Sequence, residues 1–433
     1  MSDIAQQVPG VGASTPDQAG SAVAPATAAD RIASLDFIRG LAVMGILAAN
    51  IVAFGQPFSA YMFPESFLVP TGDPGGWQWI AQFVIIDGKM RGLFTLLFGA
   101  GLILFMDRAW ARGATRWLQA RRLLWLLAFG LIHFFFIWRG DILAYYALVG
   151  WIVLLCLKWS AKTQLTVGLL GYLVGAILYA IMMVPLAFVA DGPMGEQAAF
   201  AEMRDSLEAG KQEALADDVI ETEVKQSGDY AGFVEHRANE HWFEPLTNLL
   251  FFSIETFPLM LIGVALYRLG FFSGTWDSAK MRRWGWIALI GGGLLHFVIA
   301  WWVKSNGFTY YGTLSAFVGI SPIPRLLMVL GMAALLVLAA PKATGWLGQR
   351  VSAAGRAAFT NYLGTSILML LVFHGWALGL FGELNRPQLY LVTAIAWLIM
   401  LAWSKPWLDR FKYGPLEWLW RCLTYGRVFA LKR

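Results

Sequence analysis

A chain of 433 residues that is 58% hydrophobic and only 14% charged, with 21 Trp and 30 Phe, lies outside the range of soluble domains, where about a quarter of residues are charged. The net charge of +5 does not signal a nucleic-acid partner, because the Lys and Arg residues sit in short loops between apolar runs, as in membrane proteins. Two cysteines, Cys156 and Cys422, are far apart in apolar or aromatic settings and define neither a disulfide framework nor a metal motif.

Residues 1–30 are rich in Ala, Gly, Ser and Pro and contain no Lys or Arg. They lack the basic start and apolar core of a secretory signal and are expected to form a disordered tail. From residue 38 onward, apolar runs long enough to cross a bilayer recur. Ten spans are expected, at about 38–54, 83–106, 122–138, 142–157, 164–190, 247–267, 285–303, 325–340, 358–381 and 389–404. The fold class is therefore an all-α polytopic transmembrane helix bundle, with one half at 31–190, a second at 246–408 and a basic tail at 409–433.

Loop charge sets the orientation. Loop 55–82 has no Lys or Arg, whereas the next carries Arg108, Arg112, Arg116, Arg121 and Arg122. Lys158 and Lys162, then Arg268, Lys280, Arg282 and Arg283, then Lys342, Arg350 and Arg356 continue the alternation. Both termini are expected to be cytoplasmic. The loop 191–245 holds 14 acidic residues against 4 basic ones and is placed outside. Its periodicity suits one or two amphipathic helices, forming either a solvated cap over the outer mouth or a lid that carries His236 or His241 inward.

An ionisable group inside a span is expensive and is a functional candidate by default. In span one, Asp36 and Arg39 lie three apart near the cytoplasmic boundary. They pair with each other, or Arg39 holds a phosphate. Asn50 follows eleven residues later, about 16 Å along a helix. Span two opens with Asp87, Lys89 and Arg91. Asp87 and Arg91 are four apart and expected to pair, while Lys89 points elsewhere. Two cations and one acid there suit an anionic substrate or a developing oxyanion, with snorkelling to the interface as the plainer alternative.

The stretch "GLIHFFFIWRGDIL" at 130–143 carries His133 and then a tight turn that folds Asp141 back toward it. A carboxylate beside an imidazole fixes its tautomer and raises its basicity, as a general base or nucleophile requires. Alternatively Arg139 satisfies Asp141 and leaves His133 alone. Glu255, close to Pro258, is a candidate proton-handling group. Arg356 is a cytoplasmic cation, Asn361 and Tyr362 cap or bridge helices, and His296 and His374 are read mainly as packing residues. No nucleophile elbow, P-loop, zinc-protease or dinucleotide motif is present.

The stretches "LDFIRGLAVMGILAANI", "FTLLFGAGL", "GLIHFFFIWRGDILAYYALVG", "LIGVALYRLGFF", "GRAAFTNYLGTSIL" and "FKYGPLEWLWRCLTYG" run in order from residue 35 to 426. Together they resemble the YeiB-like family of bacterial inner-membrane proteins, long labelled a domain of unknown function. The first is also similar to the L-D-x-x-R-G start of the transmembrane acyltransferases, including relatives of heparan-α-glucosaminide acetyltransferase and the bacterial polysaccharide acyltransferases.

That second resemblance implies a multi-pass inner-membrane enzyme that moves an acyl group from cytoplasmic acyl-CoA, its co-substrate, to a periplasmic glycan, lipid or small-molecule acceptor. It implies that Arg39 and Arg356 meet the CoA phosphates, that His133 oriented by Asp141 acts as base or nucleophile, and that Lys89, Arg91 or Asn50 stabilises the oxyanion. Asp36, Asp87, Glu255 and Asn361 complete the expected binding set. No metal is expected, membrane lipids are the expected surroundings, and the small-residue motifs are compatible with a homodimer. In the polysaccharide branch a His stands eleven residues after the motif Arg. Asn50 occupies that position here, so the base must come from elsewhere or the chemistry differs. The competing expectation is a transporter or channel for a small anion or lipid-like molecule, with Asp87, Lys89, Arg91, Glu255 and His133 as a proton pathway. The two halves show no repeat, which weighs against it.

Overall fold

The computed structural model describes residues 32–433, so the expected N-terminal tail lies outside the described residues. Among the described residues there is no strand, only one isolated bridge between Phe411 and Lys432. In chain order the helices are α1 (Ala33–Gly55), α2 (Trp77–Ile85), α3 (Lys89–Trp110), α4 (Arg116–Phe136), α5 (Leu143–Cys156) and α6 (Ala161–Ala190). Two helices of the acidic segment follow, α7 (Ala201–Gln226) and α8 (Tyr230–Glu240). The second half comprises α9 (Glu244–Arg268), α10 (Ser278–Ser305), α11 (Tyr310–Leu314), α12 (Pro322–Ala339), α13 (Trp346–Arg356), α14 (Ala358–Phe373), α15 (Arg386–Arg410) and α16 (Pro415–Tyr425).

Among the described residues, eight segments are long and apolar enough to cross a bilayer, which makes this a multi-pass membrane protein. Each of the ten expected spans falls on a helix, but two are not simple crossings. The expected ninth, 358–381, falls on α14, which ends at Phe373 and is bent by 87° from α13, and the expected fourth is α5, an apolar helix of 14 residues. At 1.5 Å per residue α5 measures about 21 Å, less than the roughly 30 Å of a bilayer core. The sides of α6 and α10 away from the bundle carry stripes at helical spacing, with Leu170, Ile177 and Ile181 on one and Ile290, Leu294 and Val298 on the other. All six are exposed in the isolated chain and suited to lipid contact.

Local chemistry sets the helix boundaries. Thr115, Ser160 and Asp277 accept hydrogen bonds from the first-turn amides of α4, α6 and α10, and Asn385 with Gln388 forms a reciprocal capping box on α15, satisfying donors the helix cannot satisfy itself. Asp87 and Gly88 separate α2 from α3, with Gly88 at a left-handed φ of 72°. A π-helical turn at Ser315–Ile320 leads into the proline that opens α12.

Backbone contact locks two helix pairs. A Cβ at Gly99 would collide with the Met260 carbonyl and one at Gly263 with the Leu96 carbonyl, joining α3 to α9. Gly40 and Gly355 do the same between α1 and α13, against the Val351 and Asp36 carbonyls. Small residues permit this approach, which replaces the hydrophobic drive that lipid does not supply. Gly263→Ala is expected to cost about 1–3 kcal/mol through overpacking, read as a lowered melting temperature in detergent. Gly291→Ala, with open space around its new methyl, is the control and should not lower it.

The bundle has two chemically distinct ends. The starts of α1 and α4 and the whole of α16 lie at a basic end, and α7 and α8 cap the other, acidic end.

Candidate functional site

The α4–α5 hairpin builds the central pair. At Gly130 the helices are so close that a Cβ would collide with the Ala144 amide and press on the Asp141 carboxylate. Asp141 therefore lies against α4 and reaches His133, with Nδ1 to Oδ1 at 2.8 Å. Its second oxygen accepts the Ala144 amide at 2.7 Å. An ionised carboxylate only accepts, so Nδ1 carries the proton and Nε2 presents a lone pair. That Nε2 is buried and has no hydrogen-bond partner. The ring is fully buried, flanked by Tyr362 at 5.2 Å and Trp138 at 6.2 Å between centroids. Arg139 does not compete for Asp141. It turns outward to Glu244 at 2.9 Å, Asp217 at 3.0 Å and Glu221 at 3.2 Å.

On the acidic side of this pair lies a chamber of about 510 Å³ whose wall includes Asn50, Arg91, Asp141, Glu255 and Arg325 among the aromatic rings of Trp138, Tyr145, Phe251 and Phe252. Glu255 is an ionic hub. Arg91 meets it at 2.6 Å, Arg325 at 2.8 and 2.9 Å, and the Tyr172 hydroxyl donates to it at 2.6 Å. The expected Asp87–Arg91 pair is absent. The helix is interrupted at Gly88 and α3 begins at Lys89, so Asp87 is not one turn below Arg91 on a helix. Asp87 instead accepts from Gln82 Nε2 at 3.0 Å and the Tyr61 hydroxyl at 3.3 Å. Lys89 does point elsewhere. It is fully buried against the Phe83 carbonyl and ring, away from the chamber.

At the basic end a funnel of about 290 Å³ is lined by Asp36, Arg39, Arg108, Arg112, Arg122, Arg356, Lys412, Glu417 and Arg421. Asp36 and Arg39 pair at 3.2 Å as expected. The funnel shares Arg39, Arg122 and Arg356 with a narrower cleft of about 190 Å³ that runs inward past Phe98, Leu126 and Phe359 to Tyr362. His133 thus lies in the partition between cleft and chamber, with Tyr362 on one wall and Trp138 on the other. Asn361 lines neither space. It bonds Ala354 O at 3.0 Å, Ser404 Oγ at 3.1 Å and Trp403 Nε1 at 2.9 Å, joining α13, α14 and α15.

Three groups were not among the expected site residues. Arg325 heads the expected eighth span, and the rule that singled out Glu255 would have found it. Arg122 stacks on Trp420 at 4.1 Å. Glu417 accepts the amides of Phe359 and Thr360 at 2.7 and 3.1 Å, capping α14 at its bend, and burial pushes its carboxyl up. Nothing local in the sequence signals these last two contacts.

Beyond the chamber, α7 and α8 form the cap, the amphipathic pair expected outside. A second cavity of about 510 Å³ lies beneath it, and Arg139 lines both spaces. Glu221 anchors the cap through Lys225 at 3.3 Å, Arg237 at 3.0 Å and Arg139 at 3.2 Å. Burial works to raise its carboxyl, but these cations outweigh burial and hold it well below the usual range. His236 and His241 sit side by side in the cap near Asp217, and neither lines the inner chamber.

No solved structure matches the chain. Residues 266–427 match the family described as "Protein of unknown function (DUF418)". Over 420 residues, 94% of this chain and 97% of the relative, it is 30% identical to "Uncharacterized protein YxaH" of Bacillus subtilis. It is also 30% identical to "Uncharacterized protein YeiB" of Escherichia coli over 407 residues, covering 91% and 96% of the two chains. A 39.9 kDa uncharacterized protein of Bacillus acidopullulyticus is 27% identical over 414 residues, 93% of this chain and 96% of the relative. With likeness of that extent from end to end, and helices at every expected span, the chain belongs to the YeiB-like DUF418 family of multi-pass membrane proteins.

Proposed function

We propose that this protein is an acyltransferase that takes an acyl group from acyl-CoA bound in the basic funnel and gives it to a hydroxyl or amine held in the outer chamber. The observation that carries this reading is the buried His133–Asp141 pair, its Nε2 lone pair unsatisfied, in the partition between a basic cavity and an amphipathic one. Arg39, Arg122 and Arg356 suit the phosphates of CoA, and the apolar cleft suits its pantetheine arm. The chamber volume suits a sugar, a lipid headgroup or a small amine. Rotation of Tyr362 or Trp138 would open His133 to its own side.

In the reaction, His133 Nε2 removes the acceptor proton as the acceptor oxygen or nitrogen bonds to the thioester carbonyl carbon. Arg91 and Asn50, both on the chamber wall, are the groups placed to stabilise the oxyanion. Collapse breaks the carbon–sulfur bond, and the departing CoA thiolate recovers the proton from the imidazolium. Asp141 keeps the ring in the productive tautomer. The positive-inside pattern supports a cytoplasmic funnel, and bacterial relatives support the inner (plasma) membrane as the location.

The same series of cavities supports a second reading, a transport pathway gated at His133. Ligand-dependent thermal stabilisation in detergent separates the two. Acetyl-, succinyl- and long-chain acyl-CoA are compared, with free CoA as control. Saturable stabilisation by a thioester is expected, with affinity lowered about 10–100-fold in Arg39→Ala or Arg356→Ala, the loss of one charged phosphate contact. If no thioester binds, acyl transfer is wrong, and uptake of labelled anions into proteoliposomes tests the transport reading.

A further inference from the structure

We propose that Asp217, His236 and His241 form a binding site for a zinc-class divalent metal ion, which clasps the cap over the chamber mouth. One donor atom from each lies within 4.8 Å of the other two. His241, the C-cap residue just after α8, is 5% exposed. Its Nδ1 faces Glu244 Oε1 at 3.0 Å. The carboxylate only accepts, so Nδ1 carries the proton and Nε2 is left with a lone pair. That Nε2 is buried and makes no hydrogen bond, yet Asp217 Oδ1 stands 3.5 Å from it. The other Asp217 oxygen is taken by Arg139 at 3.0 Å, which leaves Oδ1 for the space between the two groups. His236 Nε2 is likewise buried without a partner.

His241 Nε2 and Asp217 Oδ1, two lone-pair donors facing each other, with a donor atom of His236 within 4.8 Å of both, form a set that a cation would satisfy. Two imidazoles and a carboxylate select zinc-class metals over calcium or magnesium, which prefer all-oxygen sites. Zinc–nitrogen bonds of about 2.0–2.1 Å in a tetrahedron put neighbouring donors about 3.3–3.5 Å apart. The His241–Asp217 separation already fits. The half-exposed His236 ring has room to close the remainder. Glu244 supplies the carboxylate that orients a metal-bound imidazole through its far nitrogen. Asp217 and His241 also line the cavity beneath the cap, so a fourth coordination position would open there to water or a ligand group. The trio joins the middle of α7 to the end of α8 just before α9 begins. It is separate from the His133–Asp141 pair and does not depend on acyl transfer.

The test uses the full-length, untagged protein in detergent, stripped with a chelator and titrated with Zn²⁺ and with Co²⁺. Uptake of about one equivalent per chain is expected, with the intense visible bands of tetrahedral cobalt and a raised melting temperature. His236→Ala should lose uptake, bands and stabilisation while staying folded, because its ring nitrogen supports no other group. Glu235→Gln, an exposed neighbour, should keep all three. No saturable uptake by the wild type overturns the site, and is what a His241 merely protonated onto Asp217 would give. Uptake that survives both His236→Ala and Asp217→Asn overturns it equally.

Discussion

Glu255→Ala is expected to destabilise the protein by about 3–5 kcal/mol, the cost of removing one partner from a buried ion network. The carboxylate is 5% exposed and is shared by Arg91 and Arg325. Its loss strands two guanidinium groups inside the bundle and leaves the Tyr172 hydroxyl without its carboxylate partner. Thermal unfolding in detergent should show a large fall in melting temperature. The informative companion is the triple variant Arg91→Met/Glu255→Leu/Arg325→Met. Exchanging all three charges for apolar groups removes the desolvation cost with the attraction, so this variant should be more stable than Glu255→Ala alone. A single variant within about 0.5 kcal/mol of wild type, the range of ordinary surface changes, would mean that the three charges are not a buried unit.

The second large effect concerns turnover. His133→Ala should lower thioester turnover about 10²–10⁴-fold, the usual contribution of a positioned general base, while acyl-CoA still stabilises the protein through the funnel. Asp141→Asn should act in the same direction by a different route. The new amide donates to Nδ1 instead of accepting from it, so the proton moves to Nε2 and the lone pair is lost. Single-turnover measurement of CoA release, beside thermal shift on the same samples, separates chemistry from binding. Wild-type turnover in His133→Ala with intact acyl-CoA binding would refute the role assigned to this pair.

What could be read from the sequence follows from the range of each interaction. His133 and Asp141 are eight residues apart across one tight turn, so chain connectivity alone made their meeting predictable. Asp36 and Arg39 are neighbours on one helical face for the same reason. The Asp87–Arg91 pair failed because it assumed an unbroken helix, and Gly88 breaks it. Glu255 was visible as a costly charge, but its partners come from 164 residues before and 70 residues after it, and no periodicity connects them. The funnel is equally nonlocal, closing only when α16 at the end of the chain meets α1 and α4 at the beginning. Asn361 looked like a site residue because it is polar within an apolar run, yet helix packing uses it completely.

The turn from Arg139 to Asp141 faces two ways. Arg139 is held by carboxylates of the cap and of the α9 start, while Asp141, about 7 Å of chain away at most, holds the imidazole. Cap and base are thus tied to one short turn. Under the proposed acyl transfer, a displacement of the cap would be felt at the carboxylate that orients His133, so the readiness of the base would follow the closure of the cap, and the acyl group would not be squandered on solvent.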